Sequence, residues 1–405
     1  MGCGASKALV PPPEAPTGKV PTLVSKLEAK EDPKHEAKQE QKSETAVLSR
    51  GKSITGTSMW DADSLEDALA LMPNAAGLAQ SGILMPETPP PAPGEPVGSD
   101  DSTQWSFDIF SVPTESLPAL AYNALISAPE VSAHACKLDL SKLWRYVCEV
   151  SARYHSTRPF HSLRHGCDVL LAVRSLLGMV RSSHTGFGED DPLVISALLI
   201  SALVHDTNHP GCMNGFLVAT QHALASDDQT SVLERHHTEM ALALLERPEL
   251  DFLCLISAGE RSRFVALVRE IILATDVTTT VPLTKEFCGV ISEGGTPSPV
   301  QVIKIIIKAA DISNPSKPLA IYERWATGVM AEFFAQGDAE RRKGLPISML
   351  CDRESVHLGQ AQVGFISFLV GPLFAALHSY APSLQPVVDQ LEANKQYFAA
   401  TISLN

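Results

Sequence analysis

Between Leu117 and His378, apolar residues recur at helical spacing in nine successive segments, and several of these close on a histidine or an aspartate. The segments are Leu117–Ile126, Leu138–Ala152, Val169–Val180, Pro192–His205, Ser231–Leu245, Arg263–Thr275, Val300–Ala310, Leu319–Gln336 and Ala361–His378. A repeat near 3.6 residues gathers apolar side chains on one helix face, which neighbouring helices must cover. Alternating patterns of the kind that half-buried strands need are missing. Roughly 300 residues of successive helices therefore imply one compact, multi-helix, all-α domain over residues 105–405. Asp191-Pro192 offers an N-cap followed by proline at the first helical position, and Asn314-Pro315 ends the run before it.

Residues 1–104 have a different texture. Leu27–Glu44 is a polar Lys/Glu/Gln run and Pro86–Pro96 is crowded with prolines. Such sequence buries too little apolar surface to offset its ordering entropy, so a disordered tail and spacer is expected. Within it, Leu65–Leu71 has the makings of a transient amphipathic helix. The start Met1-Gly2-Cys3-Gly4-Ala5-Ser6 fits the N-myristoylation pattern at Gly2, with Cys3 beside it as a palmitoylation site. Because one acyl chain binds membranes only marginally, two are expected to act together. The expectation is a peripheral protein on the cytoplasmic face of a membrane (plasma, ciliary or flagellar), with a cytosolic fraction.

The eight cysteines form no C-x-x-C pair and read as reduced, buried small hydrophobes. The longest apolar candidates for a membrane span, Val194–Val204 and Val363–Leu377, are too short or broken by Gly371-Pro372. A net charge of −14 excludes a dedicated nucleic-acid binder. It also repels anionic substrates, so a phosphate site would need local positive charge such as metal ions supply.

Val204-His205-Asp206-Thr207-Asn208-His209-Pro210-Gly211 closes one apolar segment, with two histidines four apart and a carboxylate beside the first. Imidazole suits zinc, and carboxylate suits magnesium or manganese, so an adjacent His-Asp pair is suited to two metals. His161 and His165 are again four apart, and Asp311 ends the run Lys308-Ala309-Ala310-Asp311. Glu234-Arg235-His236-His237 and Leu273-Ala274-Thr275-Asp276 lie between them. Any one of these could be a satisfied core histidine or a capping aspartate. Together they place ligand types at the ends of helices that a bundle gathers around a central metal site. The chemistry indicated is metal-dependent hydrolysis of a phosphoester, and spacing alone would pair His161 with His165 as ligands.

From Trp105-Ser106-Phe107-Asp108-Ile109-Phe110 to the C-terminus the chain resembles the class I cyclic-nucleotide phosphodiesterases. The matching motifs are H-x-x-x-H from His161, H-D-x-x-H-P-G-x-x-N from His205, S-V-L-E-x-H-H from Ser231, L-A-T-D from Leu273, K-A-A-D-x-S-N-P from Lys308 and C-D-R…Q-V-G-F-I from Cys351. The resemblance implies an HD-type all-α catalytic domain with a binuclear centre that hydrolyses a 3′,5′-cyclic nucleotide to the 5′-monophosphate. It assigns His165, His205, Asp206 and Asp311 to a tightly held Zn²⁺. Asp206 would bridge to Mg²⁺ or Mn²⁺, whose waters are held by His209, Glu234 and Thr275. Two such ions supply hydroxide near neutral pH, and His161 becomes the general acid at O3′.

Gln362 and Phe365, three apart on one helix face, match the purine-binding glutamine and, with Val329, the hydrophobic clamp. The stretch Asn314–Trp325 is similar to that of cAMP-preferring members. There a tyrosine at the Tyr322 position holds the glutamine and an asparagine at the Asn314 position contacts adenine, which favours cAMP over cGMP. The chain departs from the family at Phe160, Ser162, Arg235 and Thr280, and lacks a proline in Ile347-Ser348-Met349-Leu350-Cys351-Asp352. Two other readings stand beside this one: a phosphohydrolase of non-cyclic nucleotides, and a catalytically inactive, membrane-tethered cyclic-nucleotide binder. A homodimer is compatible with the sequence.

Overall fold

The structure, a computed structural model, describes residues 60–70, 72, 105–131, 137–225 and 230–402. Every regular element among them is helical. In chain order these are α1 (Ala62–Ala70), α2 (Leu117–Ile126), α3 (Leu140–Arg153), α4 (Leu163–Ser183), α5 (Pro192–Val204), α6 (Asn214–Ala219) and α7 (Val232–Leu245). There follow α8 (Ala258–Leu273), α9 (Thr280–Ser292), α10 (Pro299–Asp311), α11 (Leu319–Arg342), α12 (Leu358–Tyr380) and α13 (Gln385–Ile402).

The centre of the domain is α5. Every residue from Leu193 to Val204 is buried, as a helix without a polar face requires. Helices α4, α8 and α10 pack around it. Local chemistry starts the neighbours where the core needs them. Asp139 accepts from the amides of Ser141 and Lys142 at the head of α3. Capping boxes Ser257/Glu260 and Ser298/Gln301 open α8 and α10.

Four expectations need correction. Asp191 precedes Pro192 at the head of α5, but its carboxylate makes no cap hydrogen bond and instead pairs with Arg263 of α8. Gly371-Pro372 does not break its segment, because a π-turn over Ile366–Val370 carries the helix through. In that wider turn the Gly371 amide donates to the Ile366 carbonyl, which lies where a larger residue's Cβ would crowd it. The resulting 23-residue helix is long and apolar enough to cross a bilayer by length and composition alone. Its face from Ala361 through Gln362, Ile366, Val370, Leu373 and Leu377 is buried within the domain.

The third correction concerns the tail. Residues 62–70 are not spacer: α1 is a docked helix, with Trp60, Leu65 and Ala68 buried against Phe216, Leu217, Ala335 and Ala339. Gly2 and Cys3 lie outside the described residues. Of the six described cysteines, all free, Cys167, Cys212 and Cys351 are buried, whereas Cys254 and Cys288 are exposed, against expectation.

Candidate active site

Three packed helices deliver the ligand types to one place. His165 sits in the first turn of α4, His205 and Asp206 follow the last turn of α5, and Asp311 is the last residue of α10. The Nε2 atoms of His165 and His205 stand 3.2–3.4 Å from Oδ2 of Asp206 and Oδ1 of Asp311. A regular tetrahedron of that edge has its centre about 2.0 Å from each corner, the usual Zn–N and Zn–O length. The donor chemistry fits an ion as well as the spacing does. His205 Nδ1 donates to the Ala202 carbonyl at 3.0 Å, so its Nε2 presents a lone pair to two carboxylates. Three acceptors facing one another at this range call for a cation between them.

Burial alone would push Asp206 and Asp311 up. The two carboxylates in turn raise the His205 pKa well above the ordinary value in spite of burial, and that positive charge holds both carboxyls well below the usual range; a bound cation would supply the charge in its stead and leave Nε2 free as a ligand. Beside Asp206 a second space opens. His237 Nδ1 donates to the Thr207 carbonyl at 2.9 Å, leaving Nε2 without a hydrogen-bond partner and 3.6 Å from Asp206 Oδ1. Burial lowers the His237 pKa to about 4, so two acceptors again face each other. Glu234, on the same helix, accepts from Asn214, and burial pushes its carboxyl up to about 7. Thr275 is buried just past α8, its hydroxyl donating to the Ile272 carbonyl. The fully buried Lys308 reaches the Asp276 carbonyl and tethers this turn to α10. This corner holds neutral and acidic acceptors suited to a hydrated divalent ion.

His161 stands outside the four-ligand cage. Its Nδ1 meets Glu332 Oε2 at 2.5 Å, while Glu332 Oε1 accepts from the amides of Phe160 (2.8 Å) and His161 (3.0 Å). Burial would lower the His161 pKa, but the charge and hydrogen bond of Glu332, with Asp206 and Asp311 beyond, raise it above the ordinary value. His209 stacks on His161 at 3.7 Å between ring centroids. Burial and the His161 charge keep His209 neutral, well below its usual pKa. Gly211 N–H donates to His209 Nδ1 at 2.9 Å, so the neutral ring carries its proton on Nε2. One charged donor and one neutral ring thus stand beside the cage.

Between α11 and α12, Tyr322 Oη donates to Gln362 Oε1 at 2.6 Å and holds that amide in one orientation. The turn carrying Asn314 is gripped from α13, where Asn394 donates to the carbonyls of Pro315 (2.8 Å) and Lys317 (2.7 Å). Phe398 of α13 packs edge-on against the Tyr322 ring. Phe365 and Val329 are both half-buried, and Phe365 packs against the core.

A family model for the 3′,5′-cyclic nucleotide phosphodiesterases matches residues 160–391, more than half the chain and every site residue from His161 to Phe365. The chain belongs to this phosphodiesterase family. It is 30% identical over 320 residues to rat 3′,5′-cyclic-AMP phosphodiesterase 4C, covering 75% of this chain and 59% of that protein. It is 32% identical over 316 residues to a fly (Drosophila melanogaster) 3′,5′-cyclic-AMP phosphodiesterase, isoform F, covering 74% and 47%. The chain therefore spans about half to three-fifths of these curated relatives. The solved structure of LmjPDEB1 in complex with IBMX superposes with a TM-score of 0.70 at 25% identity, over 85% of this chain and 98% of that one.

Against this phosphodiesterase frame the departures are mild. Phe160 lacks a tyrosine's hydroxyl, yet its ring lies 4.7 Å from that of His165 and 5.3 Å from that of Trp325. Without the proline, the Ile347–Asp352 stretch is held by Ser348 on Glu340, with Leu350 at positive φ. Two residues had no role in the sequence reading. Glu332 was hidden among several glutamates of α11, although it lies seven residues from the buried Trp325 on the same helix face. His237 was visible in its motif but carried no assignment.

Proposed function

We propose that this phosphodiesterase hydrolyses 3′,5′-cyclic AMP, in preference to cyclic GMP, to the 5′-monophosphate. The observation that carries the reading is His161, held on Glu332 beside a four-ligand ion cage, together with a glutamine pinned by Tyr322. The names of the rat and fly relatives support cAMP as the substrate. His165, His205, Asp206 and Asp311 would hold Zn²⁺, and Asp206 with the His237, Glu234 and Thr275 corner would hold hydrated Mg²⁺ or Mn²⁺. Such ions supply Lewis acidity at the phosphoryl oxygens and lower the pKa of water in the cleft.

The side chains do the rest. With Nδ1 on Glu332, the transferable proton of His161 is on Nε2, from which it would pass to O3′ as a water oxygen bonds to phosphorus and the P–O3′ bond breaks. Glu332 holds that ring in place and favours its charged form. Neutral His209, with its proton on Nε2, donates a hydrogen bond to water or a phosphoryl oxygen. Gln362 reads the purine edge with its orientation set by Tyr322, Asn314 meets the adenine side, and Phe365 with Val329 flanks the base plane.

Acylation at Gly2 and Cys3 would place this activity at a membrane, supported by the pattern Met1-Gly2-Cys3-Gly4-Ala5-Ser6. An unchanged membrane-bound fraction for Gly2→Ala in cells would refute that part. The activity itself is tested by supplying purified protein, loaded with zinc and magnesium, with cAMP, cGMP and 5′-AMP. The expected result is 5′-AMP from cAMP, slower turnover of cGMP and none of 5′-AMP. Phosphate release from 5′-AMP would point instead to a non-cyclic phosphohydrolase.

A further inference from the structure

Trp60 lies far upstream of residue 160, where the family match begins, yet it is buried beside the active site. The Arg158 guanidinium stacks over its indole, 4.7 Å from the ring centroid. Beside that contact the indole seats on Gly211, which has φ +90° and no room for a side chain: a Cβ there would stand 2.9 Å from Trp60 Cζ2 and 3.5 Å from Arg158 Cδ. Both neighbours hold His209. Arg158 Nε donates to the His209 carbonyl at 3.3 Å, and Gly211 N–H donates to His209 Nδ1 at 2.9 Å. His209 in turn stacks on His161.

The helix that presents Trp60 is fastened independently of this contact. Leu65 and Ala68 are buried, Asp63 pairs with Arg342, and Glu66 pairs with Lys343 at 3.2 Å. Small residues Ala335 and Ala339 of α11, four apart and fully buried, let α1 approach closely.

We infer that Trp60 is a positioning residue: it buttresses the two contacts that fix the backbone and the ring of His209, and through His209 the stacking of His161. The active site of this chain is thus completed by a segment outside the matched region. Removing the indole leaves Arg158 and Gly211 unsupported, and His209 can shift and turn. The base pocket, built on α11, α12 and α13, makes no use of Trp60. The effect therefore falls on the chemical step and not on substrate capture. This inference rests on the hydrolysis proposed above, which turnover by the unsubstituted full chain tests separately.

The test compares Trp60→Ala, Trp60→Phe and Leu250→Ala in the full chain loaded with zinc and magnesium, well below their melting temperatures. Leu250 is fully buried away from these contacts and serves as a control for lost stability alone. Trp60→Ala is expected to lower kcat for cAMP roughly tenfold with KM changed by less than about twofold, as befits a small misplacement of reacting groups. Trp60→Phe should restore most of the loss, and Leu250→Ala should lower Tm without lowering kcat. In an Arg158→Met background, Trp60→Ala should add less than it does alone. Independently of turnover, the ¹⁵N shifts of the His209 ring should move from a single Nε2–H form to a tautomer mixture in Trp60→Ala. An unchanged kcat, a rise in KM alone, a kcat loss matched by Leu250→Ala, or unaltered His209 shifts would each overturn the inference.

Discussion

Replacing Glu332 by glutamine keeps the shape of the residue that holds His161 and removes its charge. The carboxylate accepts three hydrogen bonds, from the amides of Phe160 and His161 and from His161 Nδ1. An amide oxygen can still accept from the two backbone groups, so the loop should stay in place. What is lost is a charge-assisted hydrogen bond to the imidazolium, worth about 1.5–3 kcal/mol. At about 1.4 kcal/mol per pK unit, that lowers the His161 pKa by roughly one to two units. His161 acts when protonated, so activity is present below its raised pKa and lost as pH rises through it.

The assay is kcat/KM for cAMP across about pH 6–9 with saturating zinc and magnesium. In Glu332→Gln the alkaline limb should move down by roughly one to two pH units, so that the variant loses most at high pH and recovers toward pH 6. A profile scaled down evenly, with its alkaline limb unmoved, would refute the link between Glu332 and the proton on His161. The same sign governs stability. The pairing stabilises the fold below the unfolded histidine pKa and less as pH rises through the raised one, so the Tm gap between protein and variant should shrink at alkaline pH.

Asp206→Asn should abolish turnover and weaken metal retention, whereas His161→Ala should retain the metals and slow cleavage at least ~10²-fold, as loss of a general acid does. Metal analysis alongside kcat separates the two, and metal loss from His161→Ala would contradict its place outside the cage. Tyr322→Phe frees the Gln362 amide to turn and should lower the cAMP-to-cGMP ratio of kcat/KM with kcat for cAMP little changed, and an unaltered ratio would remove Tyr322 from base selection. Chelation should lower Tm, because the cage would otherwise pack two carboxylates against two imidazoles without a shared cation, and re-addition of zinc should restore it.

Much of this was legible because ligand types sat where apolar periodicity stopped. A helix such as Pro192–Val204 has no polar face, so it must be central, and whatever follows it must lie in the interior. That logic located His205 and Asp206, and likewise Asp311. It failed where burial is set by partners distant in sequence. Glu332 is set apart from the exposed Glu323 on the same helix only by its spacing from Trp325, and it is the loop crossing at Phe160 that makes it a site residue. Helix α13 buries a thin stripe (Val387, Leu391, Asn394 and Phe398) amid polar residues, too narrow to stand out as a segment. A helix at Leu65–Leu71 was legible, but Trp60 and the docking of α1 were not, since docking depends on a surface built from α6 and α11 and not on the helix's own length.

The central claim is that the His165, His205, Asp206 and Asp311 cage arms this chain to open a cyclic phosphodiester. It is tested most directly by measuring cAMP turnover of the purified full-length chain as its bound divalent ions are removed and returned. Turnover should fall with ion occupancy, vanish on full chelation and return with zinc and magnesium. Turnover indifferent to chelation, or none with both ions bound, would contradict it.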